Sequence, residues 1–125
     1  MYLVGIDMIE ISRIKNSIKN LNFLKRILSE QEYKQLNEKN FIAQSVAINF
    51  CAKEAFLKLM GLGLGNLDLR EIELLREKNG KPYLNLKGKA LNLAREKELN
   101  FSVSATHTRE YASVVIIAYS KNNCQ

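Results

Sequence analysis

Two carboxylates stand where a burial pattern calls for carbon. Asp7 ends the apolar run Tyr2-Leu3-Val4-Gly5-Ile6. Such a run reads as a β-strand, so a carboxylate in it must leave the core element for a polar site. Glu54 and Lys58 lie four apart in Ala52-Lys53-Glu54-Ala55-Phe56-Leu57-Lys58. At about 100° per residue they share a helical stripe with Ala43, Ala47, Phe50 and Cys51, where the packed side of that helix should lie. Two carboxylates and an amine in partly buried surroundings suit a hard cation and a phosphate. Plainer readings stay open beside this one. Asp7 can cap the helix that follows it, and Glu54 with Lys58 can be a surface ion pair worth about 0.3–0.5 kcal/mol.

Other motifs carry weaker signals. Gly61-Leu62-Gly63-Leu64-Gly65-Asn66 invites comparison with phosphate-binding loops, yet it follows its helix, whereas those loops precede one. A helix C-terminus repels anions, so phosphate there would need a metal ion or Lys58 to hold it, and the loop also reads as a structural turn. His107 is the single histidine, set among the hydroxyls of Ser102-Val103-Ser104-Ala105-Thr106-His107-Thr108. Such a lone histidine is more often a hydrogen-bonded structural residue than a catalyst. Cys51 and Cys124 have neither metal-ligand nor disulfide-framework spacing and read as free thiols, and zinc has no second histidine to use.

The elements that must position these groups follow from periodicity and caps. Residues 2 to 9 form a strand, and Ser12 is placed to cap a short helix with Arg13, Lys15 and Lys19. A second helical piece covers Phe23 to Leu28. Ser29 with Glu32 makes a capping box for a helix over 30 to 38, and Asn40 breaks the pattern. Residues 42 to 60 form the longest helix, apolar on nearly every side and ended by Gly61. Ile72 to Arg76 and Tyr83 to Leu86 make a hairpin around Asn79-Gly80, with Pro82 limiting the ladder. A helix over Gly88 to Leu99 and strands near Phe101 to Ser104 and Tyr111 to Tyr119 complete the chain. Strands clustered after helices with short hairpin links predict an α+β fold, a mainly antiparallel sheet on a long central helix.

At 125 residues with 46% hydrophobic content, one domain spanning 1–125 with a real core is expected. Apolar runs fall short of the roughly 20 residues of a membrane span, and no basic-then-apolar leader opens the chain, so a cytoplasmic protein is expected. The charge of +6 favours an anionic partner. Nucleic-acid binding is not expected, because aromatic platforms among the basic residues and binding motifs are lacking.

Taken together, these motifs resemble the holo-acyl-carrier-protein synthases, the small bacterial type of 4′-phosphopantetheinyl transferase. The resemblance covers almost the whole chain. It is carried by Gly5-Ile6-Asp7 with Glu10 and Arg13, Phe50-Cys51-Ala52-Lys53-Glu54-Ala55 with Lys58 and the glycine loop, Asn79-Gly80-Lys81-Pro82-Tyr83, and Val103 to Thr108. It departs at Asn49, where an arginine and its phosphate contact are usual, and at Ala105, where a larger aliphatic residue is usual.

The resemblance implies transfer of phosphopantetheine from coenzyme A to a serine of apo-acyl carrier protein in fatty acid biosynthesis, releasing 3′,5′-ADP with Mg2+ as cofactor; Mn2+ can take its place, since the same oxygen ligands suit both. Asp7 and Glu54 become metal ligands, and Lys58 the group on the pyrophosphate. The general base is Glu54 acting through water, or another group. Lys53, Gly61, Gly63, Gly65, Lys81, Pro82, Ser104, Thr106 and His107 become coenzyme A contacts. Arg13, Lys19 and Arg26 become the face for the acidic carrier, and a homotrimer with sites between subunits is implied. Two rivals remain: a non-catalytic basic module binding an acidic protein or RNA, and a Mg2+-dependent nucleotide hydrolase.

Overall fold

The computed structural model describes residues 1–121. The chain runs β1 (Tyr2–Glu10), α1 (Ile11–Ile18), α2 (Leu21–Ile27), α3 (Glu30–Asn37), α4 (Ala43–Leu59), a 3-10 turn (Leu69–Glu71), β2 (Ile72–Arg76), β3 (Pro82–Leu86), α5 (Gly88–Glu96), β4 (Leu99–His107) and β5 (Tyr111–Ser120). The strands form two antiparallel sheets, β1-β5-β4 and β2-β3. The expected α+β architecture around a long helix is what is observed.

Alternation along β1 turns Leu3, Gly5, Asp7 and Ile9 toward α4 and leaves Tyr2, Val4, Ile6 and Met8 exposed on the other side. On the inner side Ala52, Ala55, Phe56 and Leu59 of α4 pack with Val114, Ile116 and Ala118 of β5 in one buried cluster. The Phe56 and Phe101 rings meet at 5.7 Å. Around the first half of α4 a second cluster gathers Ile11, Ile14, Leu24, Ile27, Leu28, Leu36, Val46 and Ala47, so α1, α2 and α3 wrap the helix away from the sheet. Such all-round burial is why α4 reads as apolar on nearly every side.

Gly5 sets how closely β1 approaches α4. A Cβ built on it would lie 2.0 Å from Ala55 O and 2.9 Å from Leu59 Cβ. Backbone cannot yield as a flexible side chain can, so Gly5→Ala must push the strand off the helix two residues before Asp7. The expected loss is about 1–3 kcal/mol, the range for overpacking a filled site. Thermal denaturation of wild type and variant checks it, and an unchanged Tm would mean that the strand shifts without cost.

Local rules explain most boundaries. Ser29 and Glu32 form the expected capping box on α3, and Asn20 caps α2 by accepting from Asn22 N at 2.9 Å. The α4 end is a Schellman turn: Leu62 N donates to Leu57 O at 2.8 Å, Gly61 N to Lys58 O at 3.1 Å, and Gly61 has φ +72°. Ser12 is not a cap. The chain passes from strand to helix at Glu10 with no side-chain cap, and Ile11 N instead donates to Glu110 O of the β4–β5 turn at 2.8 Å, so Ser12 lies inside α1. The last two strands run longer than expected because they pair with each other from Leu99↔Ser120 to His107↔Ala112. Among the described residues no helix is long and apolar enough to cross a membrane. Cys51 is a free buried thiol, and Cys124 lies outside the described residues.

Candidate active site

The β1–α4 packing brings Asp7, Glu54 and Lys58 together. Asp7 faces α4 with its side chain 15% exposed, and its own carbonyl accepts from Ser113 Oγ at 3.0 Å. Lys58 Nζ donates to Asp7 Oδ1 and to Ile6 O, both at 3.1 Å. The lysine therefore bridges helix to strand and does not form the i, i+4 pair with Glu54. Its side chain is 58% exposed, because the packed stripe through Ala47 and Cys51 leaves the core as α4 nears its end. Asp7 is no helix cap either, since it sits three residues inside the strand.

Electrostatics at the pair favour a cation. Partial burial raises the Glu54 pKa, the Asp7 charge raises it further, and Lys58 offsets part of this. One turn back, burial first and then the Asp7 and Glu54 charges push the Cys51 thiol up to about 12, so it stays protonated. Cys51 Sγ lies 3.6 Å from Ala112 O. The ionised donors are thus oxygens alone, the set preferred by Mg2+ or Mn2+ over softer metals. Among the described residues no group of three or more His, Cys, Asp or Glu side chains gathers as a metal cage. Two carboxylates that leave other positions to water and substrate phosphate fit Mg2+.

Beyond Lys58 the glycine loop is exposed, with Leu64 at 66%. Gly61 and Gly65 have φ of +72° and +91°, which a side chain would strain; Gly63 does not share this requirement. Lys81 and Pro82 line a cleft of about 370 Å³ with Glu77, Tyr83, Phe101 and Ser102. Ser104 and Thr106 are exposed and lie in register with Val115 and Ser113, hence with Ile6 and Met8 on the sheet face away from α4. Within one chain they are on the opposite side of the sheet from Asp7. His107 ends β4, exposed, with Nδ1 3.3 Å from Thr108 O. Arg13, Lys19 and Arg26 are all exposed on the α1–α2 surface.

Lys53 requires a correction. It is 0% exposed, and its Nζ donates to Glu32 Oε1 at 2.6 Å, Leu69 O at 2.9 Å and Ile72 O at 2.5 Å. An ammonium with three donors so committed has none for coenzyme A. Asn49 is likewise fully buried, donating to Glu32 Oε2 at 2.8 Å and Leu74 O at 3.1 Å, so it faces a polar interior and not a phosphate. Glu32, Glu73 and Ser29 also belong to this buried interior, which their sequence context does not reveal. The capping box was the only sequence signal, and it looks the same on a surface helix.

A sequence profile described as the 4′-phosphopantetheinyl transferase superfamily matches residues 3–116. The chain belongs to that superfamily. Among curated relatives of this transferase, the holo-[acyl-carrier-protein] synthase of Clostridium tetani is 43% identical over 94% of this chain and 91% of its own. That of Chloroherpeton thalassium is 47% identical over 91% and 94%. The holo-(acyl-carrier-protein) synthase of Bacillus anthracis, solved in complex with CoA (3′,5′-ADP), superposes with TM-score 0.79 at 29% identity, over 95% of this chain and 96% of that one. The Helicobacter pylori synthase in complex with coenzyme A gives 0.80 at 26%, over 94% and 100%. The transferase fold accounts for the joint placement of Asp7 and Glu54, since both stand on the two elements that Gly5 allows to touch.

Proposed function

We propose that this transferase moves 4′-phosphopantetheine from coenzyme A to a serine hydroxyl of an apo-acyl carrier protein and releases 3′,5′-ADP. The observation that carries the proposal is the Asp7–Glu54–Lys58 group beside an exposed glycine loop. Asp7 and Glu54 would hold Mg2+, or Mn2+, which neutralises charge on the pyrophosphate when bound. Lys58, solvent-exposed at the loop, meets the phosphate charge and offsets the unfavourable helix end. Glu54, acting through a water, would take the serine proton. The serine oxygen bonds to the phosphorus carrying pantetheine, and the bond from that phosphorus to the adenylate phosphate oxygen breaks.

Lys81, Pro82 and His107 are assigned to the nucleotide end of coenzyme A, with Ser104 and Thr106 from the far sheet face. That face supports a homotrimer: Tyr2, Val4, Ile6 and Met8 are 70, 65, 60 and 64% exposed, an apolar surface suited to a second copy. A neighbour seated there would bring the Ser104 and Thr106 side to another chain's carboxylates.

The deciding experiment incubates the protein with coenzyme A, Mg2+ and apo-carrier protein and weighs the carrier. A gain of one phosphopantetheine supports the transferase reading. Coenzyme A cleaved without carrier modification would point to a hydrolase, and no reaction to a basic binding module.

Carrier docking is assigned to Arg13, Lys19 and Arg26, whose charge suits an acidic helix. Arg13→Glu and Arg26→Glu should each raise the carrier KM while leaving the coenzyme A KM nearly unchanged, and the effect should shrink as salt rises. A normal carrier KM at low ionic strength would move the docking face elsewhere.

A further inference from the structure

We propose that Lys53 is a positioning residue whose buried ammonium ties the α4 turn carrying Glu54 to the far end of the glycine loop. The functional meaning of this tether rests on the coenzyme A reading above; the tether itself does not. The loop leaves α4 after Leu59, and its near end is held by the Leu62 N to Leu57 O bond. Its tip is braced within the loop, where Asn66 donates to Gly63 O through Nδ2 at 2.9 Å and through its backbone N at 3.4 Å. An outside bond, from the exposed Lys89 Nζ to Asn66 O, is long at 3.5 Å.

The far end returns to the body of the protein at the 3-10 turn, and there Lys53 receives it. Nζ donates to Leu69 O and Ile72 O, and the third proton goes to Glu32. Glu32 is itself fixed by Ser29 N at 3.1 Å, Asn49 Nδ2 at 2.8 Å and Leu74 N at 3.1 Å. The lysine is therefore held from α3 and β2 while it grips the loop's end. Lys53 and Glu54 are adjacent on one helix, so a single side chain couples the loop's base to the rotation of α4 that aims Glu54.

Stability alone is a poor account of such a pair. Replacing a buried ion pair by apolar groups of similar size is often neutral or better. What three directed donors supply is geometry: they choose one placement for two backbone carbonyls that bracket the turn.

The test removes both charges together, as Lys53→Met with Glu32→Gln, because a lone buried charge would destabilise the fold by itself. Two readouts are taken. Without ligand, amide exchange over residues 62–67 should quicken by on the order of tenfold, while β1 and β5 stay protected. With substrates, the coenzyme A KM should rise by about tenfold, in the range for groups that support a site from behind, with the carrier KM unchanged. Wild-type loop exchange in the variant overturns the tether, as does a lowered Tm with unchanged loop exchange. If wild type itself fails to bind coenzyme A by calorimetry, the substrate reading falls while loop exchange still decides the tether. Lys53→Leu with Glu32→Met is read in the same way, and failure of both pairs to fold would make the network structural and overturn the positional role.

Discussion

Asp7→Ala and Glu54→Ala are each expected to lower metal-dependent transfer by at least about a hundredfold, the scale of losing one preorganised electrostatic group, while the protein stays folded. Neither side chain fills the core. Asp7 is 15% exposed and Glu54 partly buried; the Asp7 charge opposes ionisation of Glu54, and both oppose that of Cys51. Removing one relieves repulsion, so Tm should hold or rise in Glu54→Ala. Direct Mn2+ binding, followed without substrate, should weaken in both variants. The acid limb of the wild-type rate supplies a further check. Glu54 has a raised pKa, so acidification protonates it, and weakens metal binding, at a higher pH than an ordinary glutamate would. Unchanged Mg2+ dependence in either variant would remove that residue from the metal site.

Lys58→Ala should lower kcat and kcat/KM together by about a hundredfold, with little change in stability. The geometry sharpens this expectation. Lys58 pairs with Asp7 and Ile6 O, not with Glu54, and its side chain is 58% exposed. An ion pair so exposed is worth no more than about 1 kcal/mol. The ammonium is placed where the last turn of α4 presents unfavourable carbonyl charge to a phosphate, and it can leave Asp7 without disturbing the core. Kinetics and thermal denaturation on one preparation separate the roles. A near-normal kcat with a reduced Tm would make Lys58 a bridge between strand and helix only.

Much of the candidate site is legible in the sequence because its cues are local. A carboxylate in an apolar strand and another on an apolar helix need no partner to look misplaced, and the capping box on α3 or the glycine after α4 depends on residues a few positions away. Lys53 shows the complementary limit. Its neighbour Glu54 faces the strand, whereas Lys53, one residue earlier on the same helix, faces α3 and β2, and which direction is solvent depends on what packs there. Asn49, one turn earlier, faces the same interior, which its local segment does not reveal.

The sequence alone determined the α+β character, the long helix, its glycine stop and the candidacy of Asp7, Glu54 and Lys58, because periodicity, caps and charge in apolar runs are short-range properties. Tertiary structure decided the rest. Only the Gly5–Ala55 approach puts Asp7 against α4, only the sheet register sends Ser104 and Thr106 to the opposite face, and only the burial of Glu32 turns Lys53 inward. The physical reason is that a pairing between residues some 50 positions apart, such as Lys58 with Asp7, is chosen by the packing of whole elements and leaves no mark in either local segment.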